Sequence, residues 1–352
     1  MRYLCIQHVC FFSFATHTHI HILSGDNMLS RGEQAFLSAF NKTNNMEECM
    51  YIQAGKRAPP CSAVLSRTNA TLALWHAGGN WGDLYMSVHS KRMNSFVELL
   101  DHGMTIISMP QSLYYRNASL HREHANLMRR NIMKGLRLKD TTSPKNRRLI
   151  KSKVMFTWRE QGSFDQAKRL YPFATNKLIP DIAFQIGPFQ PIPPKNDTNK
   201  VDILFFLRAD KESKFGGNGR SPGNIQRILN QIGKNVTFAV VDWIDRLKIF
   251  GTKNILFDET SIELLSLGKV VICDRLHAAI LAYLSNLPVV YLDQESNKLT
   301  NVLNVAFSSS DICKDKRNMV IKSLSLQDSL EKAIEILATD GAGHGNVLKV
   351  AV

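Results

Sequence analysis

The segment "CDRLHAAILAYLSN" combines three groups that bind or move charge. A buried strand is predicted to end at Asp274, and Arg275 and His277 then open a helix that is apolar almost all round. The N-terminal end of a buried helix presents unpaired backbone N–H groups, and here a guanidinium and an imidazole join them. This combination is suited to a phosphate or a carboxylate.

A purely structural interpretation of the same segment is also open. Asp274 would cap the helix, Arg275 would pair with it, and His277 would be a core histidine. Residues i and i+2 of a helix face different sides. Arg275 and His277 therefore reach one ligand only if Arg275 lies in the turn before the helix.

Polar residues follow other apolar segments as well. Arg208 ends "VDILFFLR", Arg159 and Glu160 end "VMFTWRE", and Gln111 follows "ISMP". In doubly wound sheets the carboxyl ends of the strands border the ligand site. We therefore predict that these side chains line a site at one edge of the sheets, with a surface loop arginine as the alternative for Arg208.

The segment "LALWHAGGNWGD" places glycines and a carboxylate after another apolar run. Gly78, Gly79 and Gly82 are predicted to turn the chain sharply and to bring backbone N–H groups close to a ligand. Asp83 is predicted in the first turn of the next helix, where a carboxylate also complements the helix dipole. The pattern is not the GxGxxG motif, and for the segment taken alone a tight strand-to-helix connection is the preferred interpretation.

These segments belong to two series of alternating strands and helices. The series are separated by residues 187–200, which contain four prolines and are predicted to form a linker. The pattern predicts two Rossmann-like, doubly wound α/β domains facing a cleft that holds the ligand. We place the domains at 61–190 and 200–352, after a poorly defined leader and helix in residues 1–60.

The bulk charge allows several anionic partners. The net charge of +14 attracts polyanions, anionic membrane surfaces or small acidic substrates, and it does not choose among them. Residues 129–153 are strongly basic; they are predicted to form a solvated helix and loop, or a contact for anionic membrane, glycan or nucleic acid. The six cysteines form no CxxC pair, which argues against a zinc ribbon or a thioredoxin-type motif.

The N-terminal segment is apolar as far as Phe14 and is then interrupted by His17, His19 and His21. It is too short and broken to span a bilayer, so we interpret it as a poor signal sequence or the remains of an anchor. Alternating imidazoles suit a metal ion, but a disordered leader is the stronger prediction. Sequons permit a secretory location; they occur at Asn41, Asn69, Asn117, Asn196 and Asn235.

Six blocks of the chain occur in a familiar order. They are "GGNWGDLY" (78–85), "ISMPQSLYY" (107–115), "WREQGSF" (158–164), "IPDIAF" (179–184), "FFLRADKES" (205–213) and "DRLHAAILAYLSNLPVVYLD" (274–293). With them, the chain from about residue 70 to residue 305 resembles the polysaccharide pyruvyl transferase family.

The resemblance implies a fold similar to GT-B glycosyltransferases and transfer of pyruvate from phosphoenolpyruvate to a sugar as a cyclic ketal, with release of phosphate. It implies no essential metal and no cofactor beyond the donor substrate. The phosphoenolpyruvate-binding residues would be Arg208, Arg275 and His277, and the acceptor would lie near Asn80 and Asp83. The family usually continues its last block with a Gly-Lys pair, whereas this chain has "QESNKLTNV", in which Lys298 is expected to keep the lysine role.

This chemistry assigns a role to each strand-end group. Arg275 and Arg208 would hold phosphate and carboxylate, His277 would donate or relay a proton, and Asp83 would accept a proton from the sugar hydroxyl. A glycan galactose is the expected acceptor, and nucleic acid is not an expected partner.

Two other functions stay open at this point. One is a glycosyltransferase of the same architecture that uses a nucleotide sugar, because cationic strand ends also suit a diphosphate. The other is a non-enzymatic binder of anionic glycans or nucleic acid through residues 129–153. The sequons favour a location in the secretory pathway, and the resemblance to fungal family members favours the Golgi. Membrane association would then occur through the poor N-terminal anchor. A cytoplasmic location is the alternative.

Overall fold

The computed structural model describes residues 8–13, 24–44, 48–53, 71–83, 86–189, 200–208, 220–242, 257–293, 297–309 and 319–340. The chain divides into two compact units. Unit 1 comprises Met1–Ile22 and Leu29–Ile186, and unit 2 comprises Leu23–Met28 and Gly187–Val352. The predicted linker and the His17–His21 cluster lie largely outside the described residues.

Unit 1 is built on a parallel sheet. Its strands are β1 (His8–Ser13), β2 (Glu48–Gln53), β3 (Leu72–Trp75), β4 (Gly78–Gly82), β5 (Thr105–Tyr114), β6 (Val154–Trp158) and β7 (Thr175–Leu178). Their order is β2-β1-β3-β5-β6-β7, and β4 continues beyond β3 along β5. The helices are α1 (Ser24–Asn44), α2 (Met86–Asp101), α3 (Ala118–Gly135), α4 (Pro144–Lys153) and α5 (Gln161–Leu170), with a 3-10 helix at Ile182–Ile186.

The first strand lies in the segment that the sequence predicted to be a disordered leader. Residues of β1 pair in parallel with both β2 and β3, with Val9 opposite Leu72. That prediction was wrong for β1. A short apolar run does not by itself distinguish a leader from a strand, because the sheet partner that decides the matter is distant in sequence.

Helices cover both faces of the unit 1 sheet. On one face Ala73 and Trp75 join a core with residues from α2, α3 and α5. On the other face Leu72 and Leu74 join a cluster with Leu29 and with other side chains of α1. Successive strand residues point to opposite faces, so a continuous apolar run is the expected pattern for such a strand.

The "GGNWG" segment is a strand and not the predicted turn. Gly78 lies opposite Gln111, and Gly82 lies opposite Tyr114. Gly82 has a φ of 130°, and a Cβ there would overlap the carbonyl oxygen of Tyr114. The missing side chain therefore allows close approach of two strands rather than of a ligand.

The strand predicted to end at Pro110 in fact continues to Tyr114. The register of β5 with β6 shifts between Ser108 and Gln111, which places Pro110 at an irregularity. Proline cannot donate a ladder hydrogen bond, and such a shift is where a strand tolerates it.

Unit 2 carries the second parallel sheet. Its strands are β8 (Val201–Phe206), β9 (Phe238–Val241), β10 (Gly268–Cys273), β11 (Val289–Leu292) and β12 (Val320–Ser323), in the order β12-β11-β10-β8-β9. The helices are α6 (Pro222–Ile232), α7 (Phe257–Leu265), α8 (Leu276–Leu284), α9 (Lys298–Ser309) and α10 (Leu326–Asp340). Both predicted doubly wound α/β units are therefore present.

Local signals explain where several helices begin and end. Ser221 caps α6 by accepting from the backbone N–H of Asn224, Pro222 follows at the first helical position, and Gly233 ends the helix with a φ of 70°. Ser163 is a residue type that often caps helices, but it does not cap α5. The helix begins earlier, after Glu160, and the Ser163 hydroxyl donates to the Glu160 carboxylate at 2.8 Å.

Among the described residues, no helix is long and apolar enough to cross a membrane. The same residues contain no group of three or more His, Cys, Asp or Glu side chains placed to hold a metal ion.

Candidate functional site

The strand order of unit 2 marks one place for a ligand. The chain passes from β8 to β9 on one side and returns to β10 on the other, so the order reverses between β8 and β10. In doubly wound sheets the crevice at this switch point, beyond the carboxyl ends of the strands, is where ligands bind. Arg208 follows β8 and Asp274 follows β10.

Hydrogen bonds and an ion pair join three neighbouring strand ends at this switch point. The backbone N–H of Arg208 donates to Oδ1 of Asp274 at 2.8 Å. Arg275 forms a two-pronged ion pair with Asp242, which follows β9, with Nε–Oδ1 at 2.7 Å and Nη2–Oδ2 at 2.9 Å. Such a fork fixes the plane of the guanidinium.

Arg275 lies in the turn before α8. This is the position that allows the side chains of Arg275 and His277 to reach one ligand. It is the N-cap residue, with an extended φ of −113° and ψ of 123°, and no side chain caps the helix there. His277 lies half-buried in the first helical turn. In the structural alternative Asp274 was the cap and the partner of Arg275, but here the cap is Arg275 and the ion pair is with Asp242.

Lys298 is placed at the next strand end along this sheet. It is the first residue of α9, after β11. The Asp293 carboxylate accepts from the backbone N–H groups of Leu299 at 3.1 Å and Thr300 at 3.0 Å, and so it holds the start of this helix. Lys298 therefore lies at the same edge of the sheet as Arg208 and Arg275.

In unit 1, Asp83 follows β4 and precedes the described start of α2, so it is not in the first turn of that helix. Its carboxylate accepts from the backbone N–H groups of Arg116 and Asn117, each at 2.9 Å. Burial would raise the pKa of Asp83, but the hydrogen bonds from Asn117 and Arg116 outweigh it and lower the pKa below its ordinary value. The described part of the "GGNWG" segment includes the backbone of Asn80 and Gly79, within β4.

Gln111 and Arg159 lie inside buried polar networks. The Gln111 side chain accepts from Nη1 of Arg92 at 3.1 Å and donates to the His76 carbonyl. Arg159 Nη1 pairs with Asp181 at 2.6 Å, and Nε donates to the Ser112 hydroxyl at 2.8 Å. Both predicted site residues are thus enclosed, at 0% and 2% exposure.

Glu33 anchors the same region from helix α1. Its carboxylate contacts Nδ1 of His76 at 2.7 Å and accepts from the backbone N–H of Ala77 at 2.6 Å. These contacts hold the break between β3 and β4, so the geometry there is set by a residue 43 positions earlier.

A histidine and tyrosine cluster lies beside Asp83. The Tyr115 hydroxyl is 3.1 Å from Nε2 of His89 and 3.1 Å from Nδ1 of His124, and the His121 ring stacks edge-on against Tyr115. Burial, with the charges of His124 and Arg92, lowers the pKa of His89 to about 3. Burial also lowers the pKa values of His121 and His124, so these rings are neutral at pH 7.

Comparison with known proteins decides the family. The family model for polysaccharide pyruvyl transferase matches residues 66–296. The chain belongs to the polysaccharide pyruvyl transferase family. The match spans both strand-end regions, and it confirms the resemblance drawn from the six sequence blocks.

One relative and one solved structure give further comparisons for this pyruvyl transferase family member. Pyruvyl transferase 1 of Schizosaccharomyces pombe is 26% identical over 351 residues, which cover 94% of this chain and 76% of that protein. The crystal structure of a functionally uncharacterised protein from Klebsiella pneumoniae subsp. pneumoniae aligns with a TM-score of 0.50 and 16% identity, over 91% of this chain and 94% of the other. The latter supports the fold alone.

A galactosyltransferase structure, the lipopolysaccharide outer core enzyme WaaB in its apo form, aligns with a TM-score of 0.34 and 9% identity, too low to carry an argument. The two parallel sheets with helices on their faces confirm the predicted fold class of two Rossmann-like, doubly wound α/β units. As a pyruvyl transferase family member, the protein is a transferase of polysaccharide biosynthesis, and the family implies a glycan acceptor.

Sequence reasoning missed several residues of these regions. Asp242 directly follows the apolar run of β9, so the strand-end rule that selected Arg208 also selects it. Arg92 and His89 carried no comparable signal, because both lie within α2 and their partners come from β5 and the segment after it. Glu33 was hidden in the segment taken as a leader and helix.

Proposed function

We propose that this protein transfers pyruvate from phosphoenolpyruvate to two hydroxyls of a sugar, forming a cyclic ketal and releasing phosphate. A galactose residue of a glycan is the proposed acceptor. The observation that carries the proposal is the gathering of Arg208, Arg275 and His277 at the switch point of the unit 2 sheet, in a chain of the pyruvyl transferase family.

The donor chemistry suits this edge. Phosphoenolpyruvate carries a phosphate and a carboxylate on one small frame, and two guanidinium groups are natural receptors for two such anions. The N-terminal backbone of α8 adds N–H groups aimed at the same edge. Asp242 keeps the Arg275 guanidinium in one plane, and this favours recognition of an oxyanion of fixed geometry.

The proposed reaction balances without a redox partner. The methylene carbon of phosphoenolpyruvate gains a proton and becomes the methyl group, while one sugar hydroxyl adds to the central carbon and loses its proton. The second hydroxyl then displaces the phosphate from that carbon, and its proton leaves with the phosphate. His277 is the proposed donor or relay of the proton that reaches the methylene carbon, and Arg275 and Arg208 stabilise the departing phosphate.

On the acceptor side we propose a positioning role for Asp83. A carboxylate that accepts hydrogen bonds from two backbone N–H groups and has a lowered pKa is a poor proton acceptor for a sugar hydroxyl. It orders the segment Arg116–Asn117 instead. Gly79 and Asn80 remain the proposed acceptor-binding residues of β4.

Gln111 and Arg159 are proposed to position other residues of the site and not to contact the sugar. Their side chains are enclosed by Arg92, His76 and Asp181. Lys298 is proposed as an additional cation for the donor. Its place after β11 is what supports this role.

The test is phosphate release from phosphoenolpyruvate by the purified full chain with a panel of β-galactosides. His277→Ala is compared with wild type and with His102→Ala, which removes an exposed histidine near the end of α2. We expect acceptor-dependent release in wild type and in the control, and its loss in His277→Ala. Release that survives in His277→Ala would remove the catalytic assignment of this residue.

Thermal shifts separate the competing functions. A shift with phosphoenolpyruvate supports the proposal. No release with any sugar, together with a shift only with nucleotide sugars, would indicate a glycosyltransferase that uses the same cations for a diphosphate. Binding of anionic glycan alone, lost only on charge reversal within residues 129–153, would indicate a non-enzymatic role.

A further inference from the structure

A cationic surface covers one end of unit 1, formed by the last turns of α3, the connection 136–143 and α4; we call it the basic edge. Residues 129–153 contain ten Lys or Arg and a single acidic residue, Asp140. Nine of the ten are exposed: Arg129, Arg130, Lys134, Arg137, Lys139, Lys145, Arg147, Arg148 and Lys151.

The basic edge lies at the amino-terminal ends of the strands. Arg137 pairs with Asp101 at the end of α2, and Lys153 donates to the carbonyl of Gly103, just before β5 begins. Lys153 also directly precedes β6. The basic edge is therefore at the opposite end of the sheet from Asp83, Gln111 and Arg159, and its charge does not serve that region.

Helix stability explains only part of these charges. Lys134, Lys151 and Lys153 lie in the last turns of α3 and α4, where cations complement the helix dipole, but the cations at the start of α4 have no such role. The first turn of α4 contains Lys145 and no acidic residue, with Arg147 close behind. The N-terminus of a helix favours negative charge, so cations there oppose the helix dipole. Like charges in one cluster also repel one another, which leaves an external anionic partner as the natural counterpart.

We propose that the basic edge binds an anionic phospholipid membrane surface. Leu149 is a large apolar side chain at 36% exposure among the cations of α4, and long Lys and Arg side chains lay their aliphatic stems on such a surface. Residues 129–153 contain no aromatic residue, whereas binding of single-stranded nucleic acid relies on aromatic stacking. The proposal is independent of the proposed reaction.

Membrane binding of this kind needs no spanning helix. Each Lys or Arg near an anionic leaflet strengthens binding about fivefold. The carboxyl strand ends of unit 1 would face away from the lipid, because they lie at the other end of the sheet.

The test is co-sedimentation of the full chain with phosphatidylcholine vesicles, with and without phosphatidylserine, at low and high salt. The variant Arg147→Glu, Arg148→Glu, Lys151→Glu reverses three charges on α4. We expect wild type to bind only vesicles with phosphatidylserine, less at high salt, and the variant to bind about 100-fold more weakly or worse.

A matched control reverses three exposed cations elsewhere, by Arg169→Glu, Arg227→Glu and Lys234→Glu. It makes the same change in net charge, and we expect it to keep most of the binding. Thermal unfolding of both variants verifies that each folds.

Four results would overturn the proposal. Wild type could fail to bind phosphatidylserine vesicles, or bind pure phosphatidylcholine as well. The control could lose as much binding as the α4 variant, which would indicate that net charge alone, and not a defined surface, governs vesicle binding. Finally, wild type could bind an oligonucleotide or heparin more tightly than the vesicles, and the α4 variant could lose this binding as well. That result would indicate a polyanion partner in place of a membrane.

Discussion

The carboxyl strand ends of the two units contain the same kinds of residue in different environments. In unit 1 most polar side chains near the strand ends are enclosed, and the half-buried Asp83 is an exception. Exposure is 4% or less for Glu33, His76, Arg92, Gln111, Arg159 and Asp181. In unit 2, Arg208 and His277 are half-buried, and the side chain of Arg275 is 12% exposed beside Asp242. A polar residue at a strand end is thus a candidate for ligand binding only where part of it reaches solvent.

Electrostatics accounts for the difference. A charge taken out of water needs a partner and hydrogen bonds close by, or the free energy of unfolding falls steeply. The enclosed groups of unit 1 bond to one another and to nearby backbone groups, and so they set the backbone geometry around β4 and β5. At the switch point of unit 2 the paired cation retains access to solvent, which a phosphate or carboxylate ligand requires.

The largest effect on stability is expected at Arg159 of unit 1. Arg159→Met leaves the Asp181 carboxylate buried without its cation, so we expect a loss of about 4 kcal/mol in the free energy of unfolding. Urea unfolding followed by tryptophan fluorescence measures it, since Trp75, Trp81 and Trp158 all lie in the unit 1 core.

The control for this pair is Lys168→Met. Lys168 and Asp165 form an exposed ion pair, at 51% and 41% exposure. Its removal should lower the free energy of unfolding by less than about 1 kcal/mol. Adding Asp181→Asn to Arg159→Met should recover part of the stability. Equal effects of Arg159→Met and Lys168→Met would contradict the enclosed character of unit 1.

Gly82→Ala tests whether the glycine serves the strands or a ligand. The new Cβ would overlap the Tyr114 carbonyl at a φ of 130°, so we expect a loss of roughly 3 kcal/mol in the free energy of unfolding. Gly162→Ala in α5 meets no atom within 4 Å and should be neutral or slightly stabilising. A Gly82→Ala protein with unchanged stability and weakened acceptor binding would restore the ligand-approach explanation.

Arg275→Lys tests the guanidinium fork of unit 2. Lysine keeps the positive charge beside Asp242 but not the planar fork, so we expect phosphate release to slow about 100-fold with little change in stability. Steady-state kinetics and urea unfolding of the same preparation are the measurements. Wild-type turnover in this variant would show that Arg275 supports structure only.

His89 gives the smallest expected effect. Its folded pKa of about 3 lies below the value of about 6.5 for the unfolded chain, so the unfolded chain binds more protons between these values. Stability is therefore fully present above pH 6.5 and is lost as the pH falls toward 3, by up to about 2 kcal/mol at pH 5.

The comparison is between urea unfolding at pH 7 and at pH 5. His89→Gln should flatten the pH dependence, whereas His102→Gln, at an exposed position, should leave the slope as in wild type. A slope unchanged by His89→Gln would mean that His89 is not held neutral in the folded protein.

Much of the fold was predictable from the sequence. Apolar runs of four to seven residues, separated by helical periodicity, predicted two doubly wound units, and the helix starts at Ser221 and after Arg275 follow from local capping and burial patterns. The strand-end rule selected Arg208, Arg275 and His277 before any contact was known. The boundaries at Pro110 and in "GGNWG" were wrong, because β4 forms by pairing with the second half of β5, and that half of β5 lies between β4 and β6.

The sequence by itself determined most of the element types, the family and the chemical kinds of residue at the strand ends. Only the tertiary structure decided which of those residues are enclosed and which face solvent, through pairs such as Glu33 with His76 and Asp242 with Arg275, 43 and 33 positions apart. The physical reason is that propensity and periodicity act over a few residues. The partner of a charged side chain depends on strand order and register, which form only when distant segments pack into one sheet.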